Sequence, residues 1–406
     1  MSLLTRVESP PTTPTSDIEI IEDAPSPSAP PRRGIVRALK WYVLSRLVVL
    51  AATVPALFMH DPGSGPWPVL PGNSALFRAL GRWDGAWYLW VANQGYPTAG
   101  QFTHHLSEVA FFPLYPMTVR GVSAVTGWSE LAAGVTVALL AGALATVLVW
   151  KLAARLADEK VADRAVLLFV FFPGSFALSM AYAEGFMVVG AAACLLALLN
   201  RRWVLAGLAG AFATASRPNA VAIVIACAVV AAVEIYRRRE WKALLAPAIA
   251  STGALAFFTF LWIRTGHALA WFQSEKEEWH DHLGYGQGVW KRMFGLFHHF
   301  PTSFHPGSLN DLVAVGGVIV VIVSFVLLWR SRWPIAVRSY TAAALAIPVL
   351  SVAVGPRPRM LFGAFPVAVA VAERSSRRVY RVAVIASAVL LVAVTVVITT
   401  SLSSTP

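Results

Sequence analysis

The chain has 406 residues, of which 57% are apolar and only 13% are charged, and its formal net charge is +12. A soluble domain carries about 25% charged residues, so this composition excludes a soluble globular enzyme and a disordered protein. The basic residues lie in short clusters between long apolar blocks, which is typical of polytopic membrane proteins and not of nucleic-acid-binding proteins.

The chain begins with a polar segment. Residues 1–31 are rich in Pro, Ser and Thr and carry several acidic residues. Such a segment buries too little apolar surface to offset the entropy of ordering, so we predict a disordered cytoplasmic tail. It lacks the basic start and the cleavage site of a signal peptide, so we expect the first span to be retained with its N-terminus in the cytoplasm. Residues 32–406 are predicted to form one transmembrane domain.

Length and hydropathy predict eleven membrane spans, because about 20 apolar residues at 1.5 Å each cross a bilayer. The predicted spans are 41–59, 131–150, 165–183, 184–200, 203–216, 218–236, 241–263, 309–329, 334–354, 360–373 and 382–401. The segment 109–126 is also apolar but contains two prolines and Arg120, which favours a juxtamembrane or re-entrant piece. With this count, every strong basic cluster falls on the cytoplasmic side.

The same count places two large loops, 60–130 and 264–308, outside a plasma (inner) membrane. In the first loop, Asp84, Trp87 and Tyr88 share one face of a short predicted helix. Trp and Tyr favour the membrane–water interface, and a partly desolvated carboxylate there is suited to take a proton from a hydroxyl group. The alternative is that Asp84 is the N-cap of this helix, which does not exclude catalysis.

Ionisable residues also lie at the predicted outer ends of the spans. Glu184 and Arg217 are at membrane depth, where charged groups are costly and are usually functional. The alternative for Arg217 is a snorkelling turn residue. Arg357 and Arg359 are on the outer face, against the usual charge distribution, so we expect an anionic partner, either a substrate phosphate or the headgroups of ordinary anionic lipid.

The second loop contains His280 and His282 beside several carboxylates, and Lys291 further along. His-x-His beside carboxylates suggests a divalent metal, but no third ligand stands at a diagnostic spacing, so we predict an exposed amphipathic helix and no metal cofactor. The sequence has no phosphate-binding glycine loop, GxSxG elbow or HExxH motif. An enzyme acting on the outer face would therefore need an activated donor delivered on a lipid.

Several blocks resemble the glycosylphosphatidylinositol mannosyltransferase II type, the PIG-V-like group, with its bacterial relatives. These blocks are Arg82-Trp83-Asp84-Gly85-Ala86-Trp87-Tyr88 with Gly95-Tyr96, Phe111-Phe112-Pro113-Leu114-Tyr115-Pro116, Phe172-Pro173 leading to Ser179 and Tyr182-x-Glu184, Ser216-Arg217-Pro218-Asn219, Trp271-Phe272 with Trp279, and Arg359 leading to Phe365-Pro366. Their order and spacing run through most of the chain from about 41 to 400.

The resemblance implies an all-α polytopic membrane protein of the GT-C superfamily. It further implies an inverting enzyme that moves mannose from polyprenyl-phosphate-mannose to a lipid-linked glycan acceptor, of the phosphatidylinositol mannoside or lipoglycan type. In that reaction Asp84 is the general base on the acceptor hydroxyl. The candidates for the donor phosphate are Arg217, Arg359, Lys291 and His280, and those for substrate binding are Trp83, Trp87, Tyr88, Glu184 and Arg357.

Two other function classes stay open at this stage. A lipid or sugar transporter or flippase is the main alternative, although transporters concentrate ionisable residues near mid-membrane in repeated halves and no repeat is evident in this sequence. A non-catalytic relative that organises other envelope enzymes is the second alternative, and the aromatic setting of Asp84 argues against it.

Overall fold

In the computed structural model, the described residues are 32–58, 75–102, 107–299, 306–353 and 355–400. The regular elements of these residues are helices, and the one extended pairing among them is an isolated antiparallel bridge between Leu283 and Ser351. The predicted disordered tail, 1–31, lies outside the described residues, as do parts of both large loops.

The described part of the chain contains a succession of α-helices. They are α1 Arg32–Ala52, α2 Ala75–Leu80, α3 Asp84–Gln94, α4 Leu114–Thr126, α5 Glu130–Leu156, α6 Glu159–Phe171, α7 Glu184–Leu199, α8 Trp203–Thr214, α9 Val221–Arg238, α10 Leu245–Ala250, α11 Thr252–Thr265, α12 Ala270–Glu277, α13 Gln287–His299, α14 Pro306–Trp329, α15 Ile335–Leu350, α16 Pro358–Leu361, α17 Pro366–Arg374 and α18 Arg377–Thr400. Short 3-10 helices adjoin them at Val54–Phe58, Ser107–Ala110, Pro173–Leu178, Pro218–Ala220, Trp241–Leu244 and Phe362–Ala364.

Each predicted span contains at least one helix, but the helices differ from the spans in length and some spans are interrupted. By length and composition, α1, α5, α9 and α18 suffice to cross a membrane, and α10 with α11 forms a fifth candidate span that is bent by 42°. The helices α7, α8 and α15 and residues 315–329 of α14 are apolar but shorter. Four or five helices therefore meet the length criterion in the described residues, and the number of eleven spans stays a prediction.

One predicted span, 165–183, is broken. Helix α6 ends at Phe171, because Pro173 lacks the amide hydrogen that a continuing helix needs. The chain then passes through the 3-10 helix Pro173–Leu178 and an irregular stretch, and every residue from 173 to 188 is buried. This break places backbone outside the α-helices, here called the buried loop (residues 172–183), in the interior of the bundle.

Small residues bring the central helices close together. A side chain at Gly185 would contact Ala141 and Gly142 of α5, and one at Gly190 would contact Ala213 of α8. Small residues at such positions let helix backbones approach closely, which is a common packing mode in membrane proteins. Helix α7 is therefore enclosed between α5 and α8, and its first residue is held firmly in place.

The course of α7, α8 and α9 defines two ends of the bundle. Helix α7 runs from Glu184 to Leu199, α8 returns toward Arg217, and α9 runs away again toward Arg238. At the far end, Arg201 in the α7–α8 turn forms an ion pair with Glu234 of α9 at 2.7 Å. Glu184 and the α8–α9 turn thus lie together at the near end.

Candidate active site

Four charged side chains meet at the near end of the bundle. Arg359 Nη1 donates a hydrogen bond to Asp84 Oδ2 at 2.5 Å, and Arg217 Nη1 donates one to Glu184 Oε1. Arg359 Nε lies 3.6 Å from the same Glu184 oxygen, so the two pairs adjoin. The Asp84 side chain is 20% exposed and the other three are 7% exposed or less. We call these four residues the charge cluster; buried charges persist when they are paired in this way.

Asp84 occupies the first position of α3, whose N-cap is Trp83, so the alternative in which Asp84 itself caps the helix is wrong. The backbone of Trp83 has a φ of 59°, which is uncommon for a residue other than glycine. The Trp83 indole N–H donates to the Ile398 carbonyl at 3.0 Å, which holds this turn against α18. Unfavourable backbone conformations of this kind cost about 1–3 kcal/mol and cluster at functional sites.

Two glycines let the segments of the charge cluster approach one another. A side chain at Gly85 would lie 3.2 Å from the Tyr182 ring, so glycine allows α3 to lie against the buried loop. At Gly174, a methyl group would overlap the Pro358 carbonyl and approach the Arg359 backbone. The buried loop therefore sets the position of Arg359 through direct backbone contact.

We expect Gly174→Ala to reduce the catalytic rate by displacing Arg359, with a stability cost of about 1–3 kcal/mol from overpacking. The matched control is Gly121→Ala in α4, because an added methyl group there extends into open space. Alanine also has a higher helix propensity than glycine, so this variant should not lose stability. Rate and melting temperature are measured on both purified variants. Equal rates for the two variants would contradict the role given to Gly174.

Arg46 of α1 is a residue that the sequence analysis missed. Its guanidinium donates to the Ser175 carbonyl at 2.5 Å, to Ser179 Oγ at 3.1 Å and to the Val170 carbonyl at 2.9 Å. These bonds anchor the buried loop to α1. The signal was present, because an arginine inside a predicted span marks a site with internal partners.

Aromatic side chains cover the site on the side of the first loop. Trp87 stacks on Phe111 with ring centroids 6.3 Å apart and meets Trp279 of the second loop edge-on at 6.3 Å. Tyr88 is buried between Phe111 and Tyr115, and its hydroxyl has no hydrogen-bond partner among the described residues. Burial raises the pKa of the Tyr88 hydroxyl, so it keeps its proton and can donate a hydrogen bond.

Asp281 in the second loop holds the segment that leads to Arg359. Its carboxylate accepts hydrogen bonds from Ser351 Oγ at 2.8 Å and from the backbone N–H groups of Val352 and Ala353 at 3.1 Å. These bonds satisfy backbone donors where α15 has ended. The second loop is thus joined both to the aromatic side chains of the first loop and to the segment before Arg359.

Glu275 of α12 is a partly buried carboxyl group near the charge cluster. Burial, together with the negative charges of Asp281 and Asp84, raises the pKa of Glu275 to about 8, against the lowering effect of Arg217. Its carboxyl group has no hydrogen-bond partner in the part of the chain that the structure describes. Glu275 is therefore largely protonated at neutral pH.

Because Glu275 binds its proton more tightly in the folded chain than at its ordinary value of 4.5, stability should fall as the pH rises from about 4.5 to about 8 and then level off. Glu275→Gln removes this contribution and flattens the dependence. Melting temperatures between pH 5 and pH 9 test this, with Glu277→Gln on the exposed face of α12 as the control. Identical slopes in the wild type and Glu275→Gln would refute it.

The structure does not bring every predicted residue to the cluster. Lys291 and His280 are exposed and form no hydrogen bond or ion pair with the four charged residues. Arg357 is partly buried and occupies the N-cap position of α16, two residues before Arg359. Among the described residues, no three His, Cys, Asp or Glu side chains converge as metal ligands, and an ion at His280 and His282 stays an untested alternative.

The family model described as "Mannosyltransferase (PIG-V)" matches residues 37–245 of the 406-residue chain. The matched region contains Asp84, Glu184 and Arg217. A search of curated proteins finds no match.

Two solved structures align with most of the chain. ArnT from Cupriavidus metallidurans bound to undecaprenyl phosphate aligns with a TM-score of 0.50 and 16% identity over 86% of this chain and 63% of that one. The oligosaccharyltransferase AglB from Archaeoglobus fulgidus aligns with a TM-score of 0.45 and 13% identity over 90% of this chain and 56% of that one. The chain thus spans less than two thirds of the length of each. The ArnT match shows that the chain shares the fold of that protein, and the helices of the described residues confirm the predicted all-α fold class.

Proposed function

Because the chain belongs to the mannosyltransferase (PIG-V) family, we propose that it moves mannose from polyprenyl-phosphate-mannose to a hydroxyl group of a glycolipid, with inversion at the anomeric carbon. The observation that carries this proposal is the contact between Asp84 and Arg359. Inverting transfer needs a base for the acceptor hydroxyl and positive charge for the leaving phosphate, and Asp84 and Arg359 are a carboxylate and a cation suited to these two roles.

The ion pair also suggests how the reaction is ordered. Without substrate, Arg359 donates a hydrogen bond to the Asp84 carboxylate, and this bond keeps the carboxylate from acting on another group. The donor phosphate competes for the guanidinium, because arginine binds phosphate through several parallel N–H groups. Donor binding would then release Asp84 to face the acceptor.

In the transfer step, the acceptor oxygen forms a bond to the anomeric carbon while the bond from that carbon to the phosphate oxygen breaks. Asp84 takes the hydroxyl proton, and polyprenyl phosphate leaves with the electron pair of the broken bond. Arg359 stabilises the negative charge on the phosphate. Arg217, paired with Glu184, adds a second buried positive charge nearby.

A lipid-linked donor is supported by an apolar cavity of about 280 Å³, whose lining includes residues two and three positions after Arg359 in the chain. Leu361 and Phe362, which follow Arg359 closely in the chain, line this cavity together with apolar side chains of α6, α14, α17 and α18. A phosphate held at Arg359 would leave its prenyl chain beside this space. The ArnT structure that shares the fold contains undecaprenyl phosphate, which agrees with a polyprenyl carrier.

Action on the outer face is supported by the two ends of the bundle. Basic residues concentrate at the end marked by the Arg201–Glu234 pair, and Arg237 and Arg238 follow in the last turn of α9. Cytoplasmic ends of membrane proteins are enriched in Lys and Arg. The charge cluster, at the opposite end, would then face outward from the plasma membrane, toward a glycolipid of the phosphatidylinositol mannoside or lipoglycan type.

A transporter or flippase is less well supported than a transferase. Transporters place their ionisable residues near the membrane midplane on broken helices of repeated halves. In this chain the charge cluster lies where α3 and α7 begin, at one end of the bundle. Family membership favours the transferase as well.

The test uses purified protein in lipid nanodiscs with membrane glycolipids as acceptors. Radiolabelled mannose is supplied either on a polyprenyl phosphate or on a nucleoside diphosphate. We expect label in a glycolipid from the polyprenyl donor alone. Label from the nucleotide donor alone, or no transfer from either donor, would contradict the proposal.

A further inference from the structure

Three buried polar atoms at the charge cluster lack hydrogen-bond partners among the described residues. They are the Tyr182 hydroxyl, Glu184 Oε2 and Arg359 Nε. Buried polar groups in folded proteins are nearly always bonded, and an unpaired one lowers stability. A concentration of such atoms at one place indicates hydrogen bonds that are completed by a ligand.

Tyr182 is the uncharged member of this group. Its side chain is fully buried, and its ring lies against Gly85 beside Asp84. The Arg359 guanidinium lies over the ring, with Cζ 5.2 Å from the ring centroid. The charges of Asp84, Arg359 and Glu184 all act on its hydroxyl. The hydroxyl thus belongs to the same small volume as the charge cluster.

We propose that Tyr182 is a donor-binding residue whose hydroxyl donates a hydrogen bond to the phosphate of the lipid-linked sugar, beside Arg359. A phenol donates one O–H, and an ionised phosphate group offers only acceptors, so the two are complementary. The assignment of the ligand rests on the proposed function. The choice of phosphate over sugar follows from Arg359, the phosphate-binding cation that covers the Tyr182 ring.

The test is Tyr182→Phe, which removes the hydroxyl and keeps the ring. Binding of polyprenyl phosphate without a sugar is measured on the purified protein in nanodiscs, together with its melting temperature. We expect the affinity to fall about 10-fold, as for loss of a hydrogen bond to a charged group. The melting temperature should stay unchanged or rise, because the unpartnered hydroxyl has no protein bond to lose.

Tyr42→Phe is the matched control. The Tyr42 hydroxyl is equally part of a buried tyrosine, but it donates to the Leu139 carbonyl at 2.7 Å in the contact between α1 and α5. We expect this variant to lose stability and to bind polyprenyl phosphate like the wild type. The two variants should therefore show opposite patterns of stability and affinity.

Three outcomes would overturn the inference. A Tyr182→Phe variant that loses stability and keeps its affinity would show a structural role. A loss of affinity for the mannosylated donor, but not for polyprenyl phosphate, would place the hydroxyl on the sugar. If the wild-type protein binds no polyprenyl phosphate, the proposed function is contradicted as well. The wild-type measurement alone distinguishes this outcome from the first two.

Discussion

Replacing Asp84 by Asn should lower the rate of sugar transfer by about 100- to 10,000-fold, the usual contribution of a general base. An amide has nearly the size of a carboxyl group, and its oxygen can still accept the hydrogen bond from Arg359. It cannot take up the proton of the acceptor hydroxyl. The rate is measured in a single turnover at saturating donor, so that weaker donor binding does not enter the result.

The control for Asp84→Asn is Asp163→Asn. Asp163 in α6 also pairs with an arginine, Arg37 at 2.7 Å, and accepts from the Trp150 indole at 2.9 Å, away from the charge cluster. We expect this variant to transfer sugar at close to the wild-type rate. An Asp84→Asn protein that retains most of its activity would remove Asp84 from the role of base.

Replacing Arg359 by Lys should lower kcat/KM by about 100-fold, in the range seen when one transition-state hydrogen-bond donor is lost. Lysine keeps the positive charge but lacks the planar guanidinium group, which contacts Asp84 through one nitrogen and faces Glu184 with another. The charge keeps both carboxylates paired, so the fold should persist. Arg359→Gln should in addition lose stability, by at most about 3–5 kcal/mol, because it leaves the partly buried Asp84 carboxylate without its ion-pair partner.

The control for Arg359→Lys is Arg201→Lys at the far end of the bundle. Arg201 also pairs with a buried glutamate, Glu234 at 2.7 Å, so the two changes are chemically alike. We expect Arg201→Lys to leave kcat/KM within a few-fold of the wild type. Equal losses in the two variants would mean that Arg359 has only a structural role.

The members of the charge cluster could be predicted from sequence, but their arrangement could not. Asp84, Glu184, Arg217 and Arg359 each stood out because charged residues are rare in or near apolar blocks. Asp84 and Arg359 are 275 positions apart, and no local pattern indicates that they touch. Their contact depends on the path of the buried loop, which hydropathy does not report.

The errors and omissions have physical reasons as well. The span 165–183 was predicted because its composition is apolar throughout, whereas Pro173 decides the local conformation. Lys291 and His280 are candidates by charge type alone; both are exposed and lie outside the charge cluster, and their contact with the donor phosphate stays a prediction. Tyr182 was missed as a binding residue because an unpartnered hydroxyl becomes visible only when its surroundings are known.

The central claim is that the donor phosphate binds the Arg359 guanidinium and thereby frees the Asp84 carboxylate from its ion pair. A structure of the wild-type protein with polyprenyl phosphate tests this most directly, because the product binds without reacting. We expect the phosphate within hydrogen-bond distance of the Arg359 guanidinium and the Asp84 carboxylate separated from it. A phosphate bound elsewhere, with the Asp84–Arg359 pair intact, would contradict the account.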